Sequence, residues 1–150
     1  MSAGVLVMAH GTPSSAEQIE PFYTRIRRGR APDAEQLLEL ESRYRAIGGV
    51  SPLAQRTAAQ VAALRSALGV RRPGRFVVAF GAKHTEPLIE QAAAQLAEAG
   101  ALEHVVGLVL TPHGSSMGSQ GAEARGTKRL WQGPGYGSVS GRRQGRCQGL

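Results

Sequence analysis

Three short apolar runs punctuate this chain, at 5–9 (Val-Leu-Val-Met-Ala), 76–80 (Phe-Val-Val-Ala-Phe) and 105–110, whose last residues are Leu108, Val109 and Leu110. Each has the length and β-branched or aromatic content of a buried strand, and each is bounded by loop-forming residues. Between them the spacing of apolar positions changes to three and four. Ser14 and Glu17 stand at capping-box distance and predict a helix running toward Arg27, broken by the Arg-Gly-Arg at 28–30. Pro32 and Asp33 predict a second helix with Leu37, Leu40, Tyr44 and Ile47 on one face, ended by Gly48 and Gly49. A third follows Ser51 and Pro52, with Ala58, Val61, Leu64 and Leu68 on its apolar side, and a fourth is expected over 87–99, started by Pro87.

The predicted order is therefore β-ααα-β-α-β. Alternation of this kind specifies a parallel sheet with helices on both faces. Each predicted strand stops at or shortly before a histidine: His10, His84 and His113. Ligands of open parallel sheets bind at the carboxyl ends of the strands, so these three histidines are candidates for one site. His104 precedes its predicted strand and is expected at the opposite edge.

Composition changes the picture mainly at the far end. Residues 1–120 carry 12 Lys and Arg against 10 Asp and Glu, whereas residues 121–150 carry 6 against 1 and include eight glycines. The net charge of +7 is thus mostly a property of those last thirty residues. They show no helical or strand period and are expected to be disordered, giving a folded unit over 1–120 and a Gly/Arg-rich tail over 121–150. The abrupt change at Gln120 is expected of a shifted reading frame or truncated gene, with a natural linker as the alternative.

A near-neutral folded unit with few interleaved aromatic residues predicts no nucleic-acid partner, and RNA binding through the tail would be salt-sensitive. No apolar stretch has the length of a membrane span and none has the form of a signal peptide, so the expected location is cytoplasmic. With Cys147 as its only cysteine, the chain is expected to hold neither a disulfide framework nor an iron–sulfur cluster.

Four clusters carry candidate chemistry. His10-Gly11-Thr12-Pro13 puts an imidazole beside a glycine that permits close approach. Arg25, Arg27, Arg28 and Arg30 offer guanidinium forks to carboxylates or phosphates, or form a solvated cationic helix end. The stretch from Arg43 to Ala54 is an αα turn in which Ser51 serves the following helix, an anion, or both. Lys83, His84 and Glu86 share one loop.

Taken together, VLVMAHGTP, IEPFYTRIRRGR, RYRAIGGVSPLAQRT, FGAKHTEPLIEQA and VVGLVLTPHGSSM resemble the amino-terminal part of the ferrochelatase family, above all its coproporphyrin-using members. The resemblance covers about residues 4–120. It implies a Rossmann-like, chelatase-type α/β fold, incomplete relative to the two-domain fold of the family. It also implies insertion of Fe(2+), as substrate, into coproporphyrin III or protoporphyrin IX in haem synthesis. The resemblance implies that His10 takes the loop position that faces the metal, where close relatives carry tyrosine. His10 and His84 are then the expected catalytic residues, with Arg27, Arg43, Tyr44 and Ser51 joining His10 around the porphyrin.

The family's principal metal-binding histidine and glutamate belong to its carboxyl-terminal half. The expectation is accordingly a truncated member with weak or absent activity. Two alternatives stand beside it: a small homodimeric chelatase of the sirohydrochlorin type, with His10 and His113 as ligands across a two-fold axis, and a non-catalytic tetrapyrrole-binding module.

Overall fold

The computed structural model describes residues 2–99 and 102–110. The expected site residue His113, the boundary at Gln120 and the tail over 121–150 lie outside the described residues.

The fold is a three-stranded parallel sheet with helices on both faces, in the order β1 (Ser2–Ala9), α1 (Ile19–Ile26), α2 (Ala34–Ala46), α3 (Leu53–Arg71), β2 (Phe76–Ala82), α4 (Ile89–Glu98) and β3 (Leu102–Val109). A single 3-10 turn, Ala16–Gln18, leads into α1. The strands lie in the order β2-β1-β3, so β1 is central and bonded on both sides. That position explains its sequence: a strand covered on both faces reads as a continuous apolar run rather than an alternation.

Alternate residues of β1 feed two separate cores. Leu6 and Met8 join Ala79, Leu102 and the α4 residues Ile89, Ala92, Ala93 and Leu96 on one face. Val5 and Val7 pack with Val61, Leu64 and Leu68 of α3 and with Val78 and Phe80 of β2 on the other. Burial of a full-sized side chain such as Ile89 or Leu96 contributes about 1.5–3 kcal/mol. Gly81 lets α4 approach β2 closely, since a Cβ there would lie 2.5 Å from the Ile89 Cα.

Several expectations are corrected in detail. Ser14 does not pair with Glu17; its backbone amide and hydroxyl both donate to Gln18 Oε1, at 2.9 Å each, and a 3-10 turn precedes the shorter α-helix. Pro87 does not start α4. Its carbonyl accepts from Ala82 N at 2.7 Å, which keeps 87–88 extended alongside the end of β2, and the helix begins at Ile89. On α3 the buried polar residue Thr57 takes the place expected of Ala58, because Thr57 and Val61 are one turn apart on the sheet-facing side.

Helix α2 forms where expected but buries no residue. Leu37, Leu40 and Tyr44 are only half-buried, and Ile47 is 59% exposed. The helix itself is well specified, with Asp33 Oδ1 accepting from Gln36 N at 2.8 Å and Gly48 and Gly49 at positive φ after its end. Helix α2 contacts α1 and contributes to neither core. His104 lies inside β3 rather than before it, paired with Ala3 at the opposite end of the sheet from His10, as expected of its edge.

Candidate functional site

The site grows out of the carboxyl ends of β1 and β2. Their parallel pairing continues past the last ladder residues: Lys83 N donates to the Ala9 carbonyl at 2.9 Å and His84 N to the His10 carbonyl at 3.1 Å. This extension sets His10 and His84 side by side, with ring centroids 4.7 Å apart in an edge-to-face arrangement. Phe22, from the middle of α1, closes the group at 6.2 Å from the His10 ring and 6.1 Å from the His84 ring. His84 is buried and His10 is exposed, so one imidazole is packed while its neighbour faces solvent.

Gly11 is what permits this approach. Its φ of +87° lies in the left-handed region, and a Cβ would stand 2.4 Å from Thr85 Oγ1. The two loops therefore interlock, His10-Gly11 against His84-Thr85.

The His10 ring is held below its ordinary value of 6.5, first by desolvation and then by the nearby Lys83 ammonium. His10 is thus neutral at pH 7, the form that accepts a proton or ligates a metal. The sign for stability follows: a base with a lowered folded value stabilises the fold above the unfolded value, and that contribution is lost as pH falls from 6.5 through the lowered value.

The remaining expected residues fall into two groups. Tyr44 joins the histidine side, lying near Thr12 of the His10 loop and Tyr23 of α1, and burial pushes its pKa up. Arg27, Arg43 and Ser51 have other partners. Arg27 Nη1 donates to Gln36 Oε1 at 2.6 Å and, with Arg30, lines a cavity of about 320 Å³ beside the start of α2. Arg43 pairs with Glu39 one turn back on the exposed side of α2. Ser51 Oγ accepts from Leu53 N at 3.3 Å, as expected of a residue serving α3, although Pro52 precedes the first helical residue instead of occupying it.

Sequence reasoning missed Phe22, Tyr23 and Thr12. The signal available was the adjacent aromatic pair Phe22-Tyr23 on the first helix after the His-Gly loop, whose rings pack edge to face 5.3 Å apart. Among the described residues no group of three or more His, Cys, Asp or Glu side chains is placed to hold a metal ion. Nor is any described helix long and apolar enough to cross a membrane.

The described unit thus presents two neighbouring imidazoles at the ends of adjacent parallel strands and, beside the start of α2, a cavity lined by two arginines. Comparison with known proteins gives the class: the family model described as Ferrochelatase matches residues 2–133. The chain belongs to the ferrochelatase family. It is similar to the coproporphyrin III ferrochelatase of Oceanobacillus iheyensis, 46% identical over 115 residues, which is 76% of this chain and 36% of that protein. The enzyme of the same description from Geobacillus kaustophilus is 43% identical over 136 residues, 89% of this chain and 43% of the relative. That of Bacillus subtilis is 46% identical over 123 residues, 81% and 39% respectively. The chain spans about two fifths of the length of these curated relatives. The family match also runs past Gln120, the point where composition changes.

Proposed function

We propose that this chain contributes the porphyrin-holding side of a ferrochelatase that inserts Fe(2+) into coproporphyrin III, a step of haem synthesis. Protoporphyrin IX is the other macrocycle with the required propionates. The observation that carries the proposal is the pair of imidazoles brought into contact at the ends of adjacent parallel strands, within a family match that covers most of the chain.

The chemistry asks for three things. Two pyrrole N–H protons must leave as Fe(2+) enters, so a base that relays them is needed near the ring centre; His10, exposed and with its pKa held below 6.5, would take them one at a time and pass each to water. Fe(2+) accepts imidazole nitrogen, so the same residue can face the metal, with His84 packed behind it. The propionates need cationic and hydroxyl partners at the rim. Arg27 is suited to that role because its present partner is a neutral amide oxygen. A carboxylate replacing that oxygen adds a second charge to a bond that the guanidinium already assists, and accepts both prongs of its fork. Arg43, Tyr44 and Ser51 complete the rim in this reading, Arg43 by exchanging Glu39 for a propionate.

Two imidazoles supply only part of a coordination shell. The 150 residues by themselves are therefore proposed to bind porphyrin with weak or no turnover. Purified chain mixed anaerobically with Fe(2+) and coproporphyrin III should perturb the porphyrin spectrum while forming metalloporphyrin at close to the metal-only rate. Turnover well above that background, abolished by His10→Ala, would overturn the inactive reading in favour of a homodimeric chelatase that completes its cleft with a second copy. An unperturbed porphyrin spectrum would remove the porphyrin.

A further inference from the structure

We propose that Arg25 and Glu86 form a clamp that holds loop 83–88 on α1, making Arg25 a positioning residue for the paired rings of His10 and His84. The loop is fastened to the sheet at one end through the Lys83 and His84 amides, and at the other through the Pro87 carbonyl, which accepts from Ala82 N. Between these points it has to stay seated against α1. Two side chains of α1 meet it there: Phe22, whose ring touches His84, and Arg25, whose Nη2 lies 3.3 Å from Glu86 Oε1. Residues three apart lie on one face of a helix, so Phe22 and Arg25 present an apolar and a charged contact to the same loop.

The magnitude decides what such a pair can do. Its side chains are 38% and 63% exposed, and an exposed ion pair shifts an equilibrium by only up to about fivefold. Against global unfolding that is negligible. Against the opening of one loop, where few contacts are broken, it changes how often the His84 ring leaves His10. The charged group is also placed where leverage is greatest, two residues beyond His84 and one beyond Thr85, which sits against Gly11.

Amide hydrogen exchange on the full 150-residue chain tests this. In Arg25→Gln and in Glu86→Gln, the Lys83 and His84 amides should exchange roughly two- to fivefold faster, with the exchange of Leu6 and Val7 in β1 unchanged. The nuclear Overhauser contact between the His10 and His84 rings should weaken in both variants. The charge-swapped double variant Arg25→Glu, Glu86→Arg should restore the original exchange rates and ring contact. The clamp is overturned if Lys83 and His84 exchange at the original rate in both single variants. It is equally overturned by a uniform acceleration that includes Leu6 and Val7, or by a swap that leaves the loop as open as either single change.

Discussion

Replacing Gly81 by alanine is expected to destabilise the protein by about 3 kcal/mol, at the upper end of overpacking costs. A Cβ at this position would lie 2.5 Å from the Ile89 Cα and 2.9 Å from both Ile89 N and Leu88 O. All three are backbone atoms at the start of α4, so no side-chain rotation relieves the clash. The helix must move off β2, and with it go the buried contacts of Ile89, Ala92, Ala93 and Leu96. The matched control is Gly107→Ala in β3, where the nearest atom to a new Cβ is Met8 Cε at 3.0 Å. A methionine terminus turns aside easily, and the expected cost is under about 1 kcal/mol. Thermal melts of the two variants should differ by roughly 4–8 °C. Equal melting temperatures would mean that α4 does not sit on β2 as described.

Gly11→Ala is expected to cost about 2–4 kcal/mol, from left-handed backbone strain of about 1–2 kcal/mol and from overpacking. The strain follows from φ +87°, and the overpacking from Thr85 Oγ1 at 2.4 Å and Ala82 Cβ at 3.0 Å. Unlike the Gly81 change, this one acts at the site. Moving Thr85 away separates the loop carrying His84 from the loop carrying His10. The ring contact between them should be lost even at temperatures where the fold persists. In a Thr85→Ala background the same replacement should be less costly by about 1 kcal/mol, because part of the collision is gone and the backbone strain remains. A cost identical in both backgrounds would show that the two loops do not interlock.

The contrast between these glycines shows how far the sequence could be read. The three strands and the alternating order were legible because a doubly covered parallel sheet writes itself as short apolar runs, and His10 and His84 could be placed at strand ends from that alone. Their mutual contact was not legible, since it depends on ladder bonds past the end of β2 and on a glycine whose positive φ has no distinct signature in one sequence. Pro87 misled for a related reason. Proline is favoured at a helix start, but here its carbonyl is committed to Ala82. On α2, periodicity gave the shared face and was silent on burial, because spacing reports which residues share a side and not what covers it. The partner of Arg27, Gln36, was hidden in the same way, since a run of arginines announces charge whereas the acceptor is set by how α1 and α2 pack; Glu39, one turn before Arg43 on α2, is the neighbour that helical spacing alone provides.

The central claim, that this chain holds a carboxylate-bearing porphyrin with Arg27 at its rim and His10 beneath its centre, is tested most directly by an absorbance titration with coproporphyrin III. The predicted result is saturable binding by the unmodified chain. Binding to Arg27→Ala should be weaker by about 1.5–3 kcal/mol, the range of a charged hydrogen bond, with the far-ultraviolet spectrum unchanged. Absence of a saturable spectral change, or equal affinity in a folded Arg27→Ala protein, would contradict the account.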